Sequence, residues 1–187
     1  MTRFLTAAFL LFPTLASAGS FTVNSAETSV GFEVIHWRLS TVAGSFSDVT
    51  GEIDWDASNP TATRAVISVP IMSVDTANGQ RDAHLRRADI FDAAQWPVAT
   101  FTSTQVSNIK GDDFDLIGTL SMKGVEHPIT LHVKDMNDGG ATATATMDRF
   151  LWNVVYGNSL AETGSIAISQ QVELKINLAM TAADDRS

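Results

Sequence analysis

The chain has 187 residues, 44% of them hydrophobic and 18% charged, which is enough for one domain with a sizeable core and too little for two comfortable ones. Its formal charge of −9 repels phosphate backbones and anionic lipid head groups, so nucleic acid is not an expected partner. Cysteine is absent, so neither disulfides nor thiol chemistry enter, and the core alone must supply stability.

Met1-Thr2-Arg3 is a short basic start, the run from Phe4 to Leu15 is almost wholly apolar, and Ala16-Ser17-Ala18 is an A-x-A cleavage signal ahead of Gly19. That is the pattern of a secretory signal peptide over residues 1–18. The run is too short to span a bilayer, and no later stretch is long and apolar enough to do so. The expectation is an exported, soluble protein, in a Gram-negative periplasm or secreted, with one domain over 19–183 and a polar tail at 184–187.

Val30, Phe32 and Val34 form the first clear apolar row, and His36 falls in the same phase, so it is expected to point inward. Val42, Gly44 and Phe46 share a side of a second strand over 40–47, and Ile53 and Trp55 belong to a third over 49–55. Residues 57–60 make a turn, after which Ala65, Ile67, Val69 and Ile71 form the next row.

Residues 75–92 break the alternation. Asn78 suits an N-cap, Asp82 suits the first turn of a helix and Arg86 and Arg87 its last turn, which predicts a short helix over 79–87. Arg81 and His84 are three apart and share a face, with Asp82 one step round, so the trio either clamps the insert to the sheet or forms a polar site beside it. The insert closes before Trp96-Pro97, because the residue before proline is biased to extended geometry.

Ala99, Phe101 and Ser103 resume the period of two, Lys110 to Asp113 turn the chain, and Phe114, Leu116, Gly118, Leu120 and Met122 alternate cleanly. A break is expected over 123–128, followed by Ile129, Leu131 and Val133. Asp138-Gly139-Gly140 is a tight hairpin signal. Alternation then runs through 141–147, gives way to an irregular aromatic passage over 150–156, and returns at Val172, Leu174, Ile176, Leu178 and Met180. Strands at this spacing with sequential hairpins predict an all-β fold, an up-and-down antiparallel lipocalin-like barrel of about eight strands with one helical insert.

Such a barrel is either filled or hollow. Gly44, Gly118, Ala65, Ala99, Ala141, Ala143 and Ala145 are slim inward residues that leave room for an apolar guest, whereas Phe, Leu and Met could equally fill it. Burying about a dozen methylene-sized units at roughly 0.8 kcal/mol each gives about 10 kcal/mol. That exceeds only the lower part of the roughly 4–15 kcal/mol cost of association, so a tight binder takes a long chain deeply, in a tunnel longer than a drug-sized pocket. An outer-membrane barrel shares the alternation, but the charged mid-chain helix, the single Tyr and the Asp-Asp-Arg-Ser end argue against one.

The residues resemble the YceI-like family of exported polyisoprenoid-binding proteins. The resemblance is carried, in order, by Ser29-Val30-Gly31-Phe32-x-Val34-x-His36, Ser40-Thr41-Val42-x-Gly44-x-Phe46, Ser73-Val74-Asp75-Thr76, Asn78-x-x-Arg81-Asp82-x-His84-Leu85, Ala88-Asp89-x-Phe91-Asp92, Pro97-x-x-Thr100-Phe101, Gly118-x-Leu120, Gly124-Val125-x-x-Pro128 and Asp148-Arg149. It implies an eight-stranded barrel holding an isoprenoid or fatty-acyl chain in an apolar tunnel, with a polar head near the mouth. Departures from the pattern fall at Ala43, Ser45, Arg87, 150–153 and 169–171.

The expected ligand-binding wall comprises Val30, Phe32, Val34, His36 and Phe46 at the start, then Ile67, Val69, Phe91 and Phe101. Leu116, Leu120, Met147, Trp152, Leu174 and Ile176 complete it, with Arg81, Asp82 and His84 as head-group site or lock. His36 could hydrogen-bond a quinone carbonyl or phosphate, or be a core histidine bonded to backbone. His36, His84, His127 and His132 lack metal-ligand spacing, and no G-x-S-x-G, phosphate loop or G-x-G-x-x-G is present, so neither metal, cofactor nor catalytic residue is expected. The leading reading is a carrier of a quinone, quinone precursor or polyprenyl lipid. The alternatives are a hydrolase or isomerase using His84 and Asp82, or an interaction protein serving a membrane redox partner. A homodimer and transient contact with a membrane or membrane protein stay open.

Overall fold

Period-two alternation sends every second side chain to one face of a sheet, and a sheet with one apolar face has to bury it. The computed structural model describes residues 19–36, 40–155 and 168–183, without the side chain of His36. The expected leader (1–18) and polar tail (184–187), Trp37 and Tyr156 lie outside the described residues. Ten strands form one antiparallel sheet: β1 (Gly19–Val23), β2 (Ser29–His36), β3 (Ser40–Phe46), β4 (Thr50–Trp55), β5 (Arg64–Pro70), β6 (Val98–Lys110), β7 (Asp113–Met122), β8 (Val125–Asn137), β9 (Gly140–Asp148) and β10 (Ile168–Ala182).

The fifteen-residue β10 closes the ring. One edge pairs with β9, while the other pairs with β2 along its first part (Val172↔Val34) and with β1 along its last (Met180↔Val23). β1 pairs with β4 and β2 with β3, so β1 with β2, and β3 with β4, each make one stave bent in the middle. Counted as staves, the barrel has eight, each beside its neighbour in sequence, which is the up-and-down closure that alternation and turn spacing predict.

The bends are chemically patched. Between β1 and β2 the buried Thr28 hydroxyl donates to Ala179 O (3.1 Å) and accepts from Ala179 N (3.0 Å), replacing the ladder bonds that the break removes. Between β3 and β4, Asp48 takes a left-handed backbone (φ 56°) and fully buries Val49.

Two details differ from the sequence expectation. β1 carries only Phe21 and Val23 as large apolar residues, too few to register as alternation, and its place in the barrel comes from β4 and β10 on either side. The expected break over 123–128 is only a two-residue turn, and β8 runs through Pro128, which pairs with Thr119 of β7. β9 joins β8 only from His132↔Thr144 onward, so Pro128 stands where one side of its strand is open, the position at which a sheet tolerates proline.

The helix α1 (Gly79–Leu85) ends two residues before the predicted limit, with Arg86 as its C-cap, and Asn78 Oδ1 accepts from Arg81 N at 3.1 Å as its N-cap. The insert is tied to β3 by a reciprocal pair of backbone bonds between Ser45 and Asp75, both 2.9 Å. β5 pairs with β4 only as far as Ser68, so beyond that point the insert supplies the wall beside β3. The opposite end of the barrel is floored by Trp55 and Phe114, stacked with ring centroids 5.7 Å apart, together with buried Phe21.

Candidate functional site

Inward rows from most staves leave two adjoining apolar chambers. The upper holds about 350 Å³ between β2, β3, β10 and the insert, and the lower about 130 Å³ above the floor. Val30, Val69, Leu120 and Leu174 line both and form the waist between them. In the upper chamber Phe46 packs against Phe32 (centroids 5.5 Å) and edge-on against Phe91 of the insert (6.0 Å), so the insert is joined to the wall by aromatic contact as well as backbone.

Of the expected wall residues, Val30, Phe32, Val34, Phe46, Val69, Arg81, Phe91, Leu120, Met147 and Leu174 line the upper chamber. Ile67, Phe101, Leu116 and Ile176 line the lower. Asp82, His84 and Trp152 are not among the described residues lining either. Trp152 is instead a fully buried pillar whose Nε1 donates to Leu120 O (2.9 Å) and whose ring meets His127 edge-on at 5.4 Å. The side chain of His36 lies outside the described residues.

The wall also contains residues that alternation alone did not select. Val42 and Val172 extend rows that were visible, whereas Leu85 and Ile90 reach the chamber from the irregular insert. Arg149 belonged to a motif of the resemblance but to no inward row, since a cation is unexpected on an apolar wall. It is buried, and its Nε and Nη2 donate to Ser169 O (2.9 Å) and Ile168 O (3.0 Å), with a further bond from Nη1 to Val154 O. One guanidinium therefore ties the chain on both sides of 156–167 to the barrel wall.

The tunnel longer than a drug-sized pocket is not met, because 350 Å³ lies at the low end of the roughly 300–1,000 Å³ of small-molecule sites. Glycines that were expected to keep a bore open are covered by rings. A Cβ at Gly118 would lie 2.4 Å from Phe101 Cε2, and one at Gly44 would lie 2.5 Å from Phe32 Cζ and 2.7 Å from Thr76 Cγ2. The small residues admit aromatic side chains, and those side chains occupy part of the lumen.

Arg81 and Asp82 converge on Thr76. Asp82, buried, accepts from Thr76 N (2.9 Å) and from the Thr76 hydroxyl, while Arg81 donates from Nε to Thr76 Oγ1 and from Nη2 to Thr76 O, both at 2.7 Å. Arg86 Nη2 adds a bond to Val74 O at 2.8 Å, and His84 Nε2 faces Asp89 Oδ2 at 3.3 Å. The arrangement is a polar clamp that fixes the insert. Neither His84 nor Asp82 faces the chambers in a way that places an acid and a base on a guest.

Residues 21–180 match the YceI-like domain family. The chain belongs to the YceI-like family. This YceI-like chain is 35% identical over 133 residues to the UPF0312 protein of Shewanella sp. strain MR-7, covering 70% of each. Among solved structures its barrel is similar to BcnA of Burkholderia cenocepacia, with a TM-score of 0.72 and 21% identity over 83% of this chain and 98% of that one. It is also similar to a polyisoprenoid binding domain from Saccharophagus degradans implicated in plant cell wall breakdown, with a TM-score of 0.69 and 18% identity over 89% and 100% of the two chains. At those identities the likeness to the two structures concerns the fold.

Proposed function

We propose that this YceI-like barrel is a binding protein, not an enzyme, that holds the hydrocarbon tail of an isoprenoid lipid and carries or sequesters it in the periplasm. The observation that carries the reading is the pair of adjoining chambers, walled almost wholly by Val, Ile, Leu, Met and Phe. An apolar void of this kind stays dry and favours an apolar guest. The polyisoprenoid binding described for the Saccharophagus domain, on the same fold, supports the choice of ligand class.

A head group is best placed at Arg81. Its Nη1 donates to nothing among the described residues, while its side chain lines the upper chamber, so it offers an NH2 group to a quinone carbonyl or a phosphate oxygen. The decisive experiment is mass spectrometry of organic extracts from the purified mature protein. A polyisoprenoid quinone, its precursor or a polyprenyl compound near one per barrel is the expected result. An empty extract combined with no uptake of added lipid removes the reading, and turnover of an added lipid replaces carriage with catalysis.

A further inference from the structure

The net charge argues against contact with a membrane, but its distribution does not. At one end of the barrel β2, β5, β7 and β9 finish and β3, β6, β8 and β10 begin. Among the described residues, six of the eight large apolar side chains left exposed are at that end: Ile35, Met72, Trp96, Val98, Leu151 and Val155. Four of them are chain neighbours of residues lining the upper chamber. Ile35 follows Val34, Met72 follows Ile71, Val98 precedes Ala99 and Val155 follows Val154. At four points around the rim, one apolar side chain turns into the lumen and the next turns outward.

Contacts join most of these residues into an arc. Ile71 N donates to Pro97 O (2.8 Å), which brings Met72 beside Trp96 and Val98. Trp96 lies over Gly124 in the β7–β8 turn, where a Cβ would come within 2.6 Å of its ring. Lys123 in the same turn donates from Nζ to Asn153 O (3.0 Å), between Leu151 and Val155 in the chain.

Charge is segregated along the same axis. The floor end sets Asp54, Asp56, Asp112, Asp113, Asp135 and Asp138 against Arg64, Lys110 and Lys134. The rim end and the insert are near balance, with Arg81, Arg86, Arg87, Lys123 and Arg149 facing Asp75, Asp82, Asp89, Asp92, Glu126 and Asp148. An anionic surface therefore repels the floor more than the rim and turns the apolar arc towards itself.

We propose that the rim is a seat for a lipid bilayer, with Trp96 and Lys123 at interface depth and the acidic floor held outward. An exposed tryptophan with a neighbouring lysine beside aliphatic side chains matches the chemistry of the membrane–water interface, where an aromatic ring and a snorkelling cation are both at home. The seat extends the carrier reading by naming the place where a hydrocarbon tail enters or leaves, and it rests on that reading for its purpose.

Flotation of the purified mature protein with vesicles of three parts phosphatidylethanolamine to one part phosphatidylglycerol tests the seat. The protein floats with the vesicles, and Met72→Ser/Leu151→Ser/Val155→Ser floats about tenfold less while unfolding at the same temperature. Val66→Ser, exposed on the barrel wall away from the rim, floats like the parent. Absence of flotation by the parent overturns the seat, as does undiminished flotation by the triple variant. Sedimentation showing that the triple variant splits a dimer also overturns it, by assigning the arc to a second copy of the chain. Lipid extracted from the same preparations separates the two proposals: lipid retained without flotation removes the seat alone, whereas flotation by an empty barrel removes carriage alone.

Discussion

Thr76 holds the insert from two directions with four polar contacts, to Asp82 through its N–H and hydroxyl and to Arg81 through its hydroxyl and carbonyl. Thr76→Val keeps the shape and removes the hydroxyl, leaving a buried carboxylate and a guanidinium each short of a partner. That costs about 1–3 kcal/mol, read from urea unfolding, and a variant as stable as the parent would sink the clamp. Arg81 and Asp82 stood out in the sequence by type and spacing. Thr76 did not, because one threonine becomes a hub only when the loop folds back on it. A second residue-scale expectation concerns Asp115, on the barrel exterior, which accepts from Asn108 Nδ2 and meets His132 Nδ1, both at 2.6 Å. Its carboxyl is held below the usual carboxylate range, by the Asn108 bond first and then by His132. A depressed folded pKa adds stability above the unfolded pKa of roughly 3.9 and loses it as pH falls through the folded value. The difference in urea midpoint between the parent and Asp115→Asn should thus be present at neutral pH and vanish in strong acid. A gap that persists in strong acid would show that the carboxylate charge is not its source.

Among the elements, the β8–β9 hairpin was legible down to the residue. Gly140 has φ 143° and a Cβ there would lie 2.0 Å from Leu178 O, so only glycine fits where Asp138-Gly139-Gly140 announced a turn. The same sequence reading failed at Gly118. Glycine in an inward row signals either an empty lumen or close approach by a neighbour, and alternation cannot tell which. Here the neighbour is Phe101, paired through β6 and β7, where Ser103↔Gly118 and Phe101↔Leu120 set the register. Gly118→Ala is expected to destabilise by about 1–3 kcal/mol through overpacking. Phe101→Leu in that background should recover part of the loss in thermal or urea unfolding, since it removes the ring atoms that the new methyl meets. If the double variant is less stable than the sum of the two single changes, the ring is not what the glycine accommodates.

For the whole molecule, the order of staves was readable because closure of a meander follows from alternation and turns, but the size of the lumen is a packing outcome decided between rings and voids. At roughly 30 Å³ per water- or methylene-sized unit, the upper chamber holds about a dozen carbons and the lower about four. A tail of about forty carbons therefore has to widen the barrel. The ladders of β6, β7 and β8 resist this, since spreading them breaks consecutive backbone bonds. The insert is a weaker wall: it meets β3 through the single Ser45–Asp75 bridge, its other ties to the barrel include Ser47 N donating to Ser73 Oγ (3.1 Å), Phe91 against Phe46 and Trp96 over Gly124, and the Thr76 clamp only holds it together from within. Widening should consequently occur by displacement of residues 71–97. Hydrogen exchange read by mass spectrometry is expected to show faster exchange over that segment with a forty-carbon polyprenol than with a fifteen-carbon one, and no change in β6–β7. Thr76→Val, by loosening the clamp, should speed uptake of the long tail and leave that of the short tail unaltered. Loss of protection in β6–β7 would mean that the sheet itself parts, and that the insert is as rigid as the staves beside it.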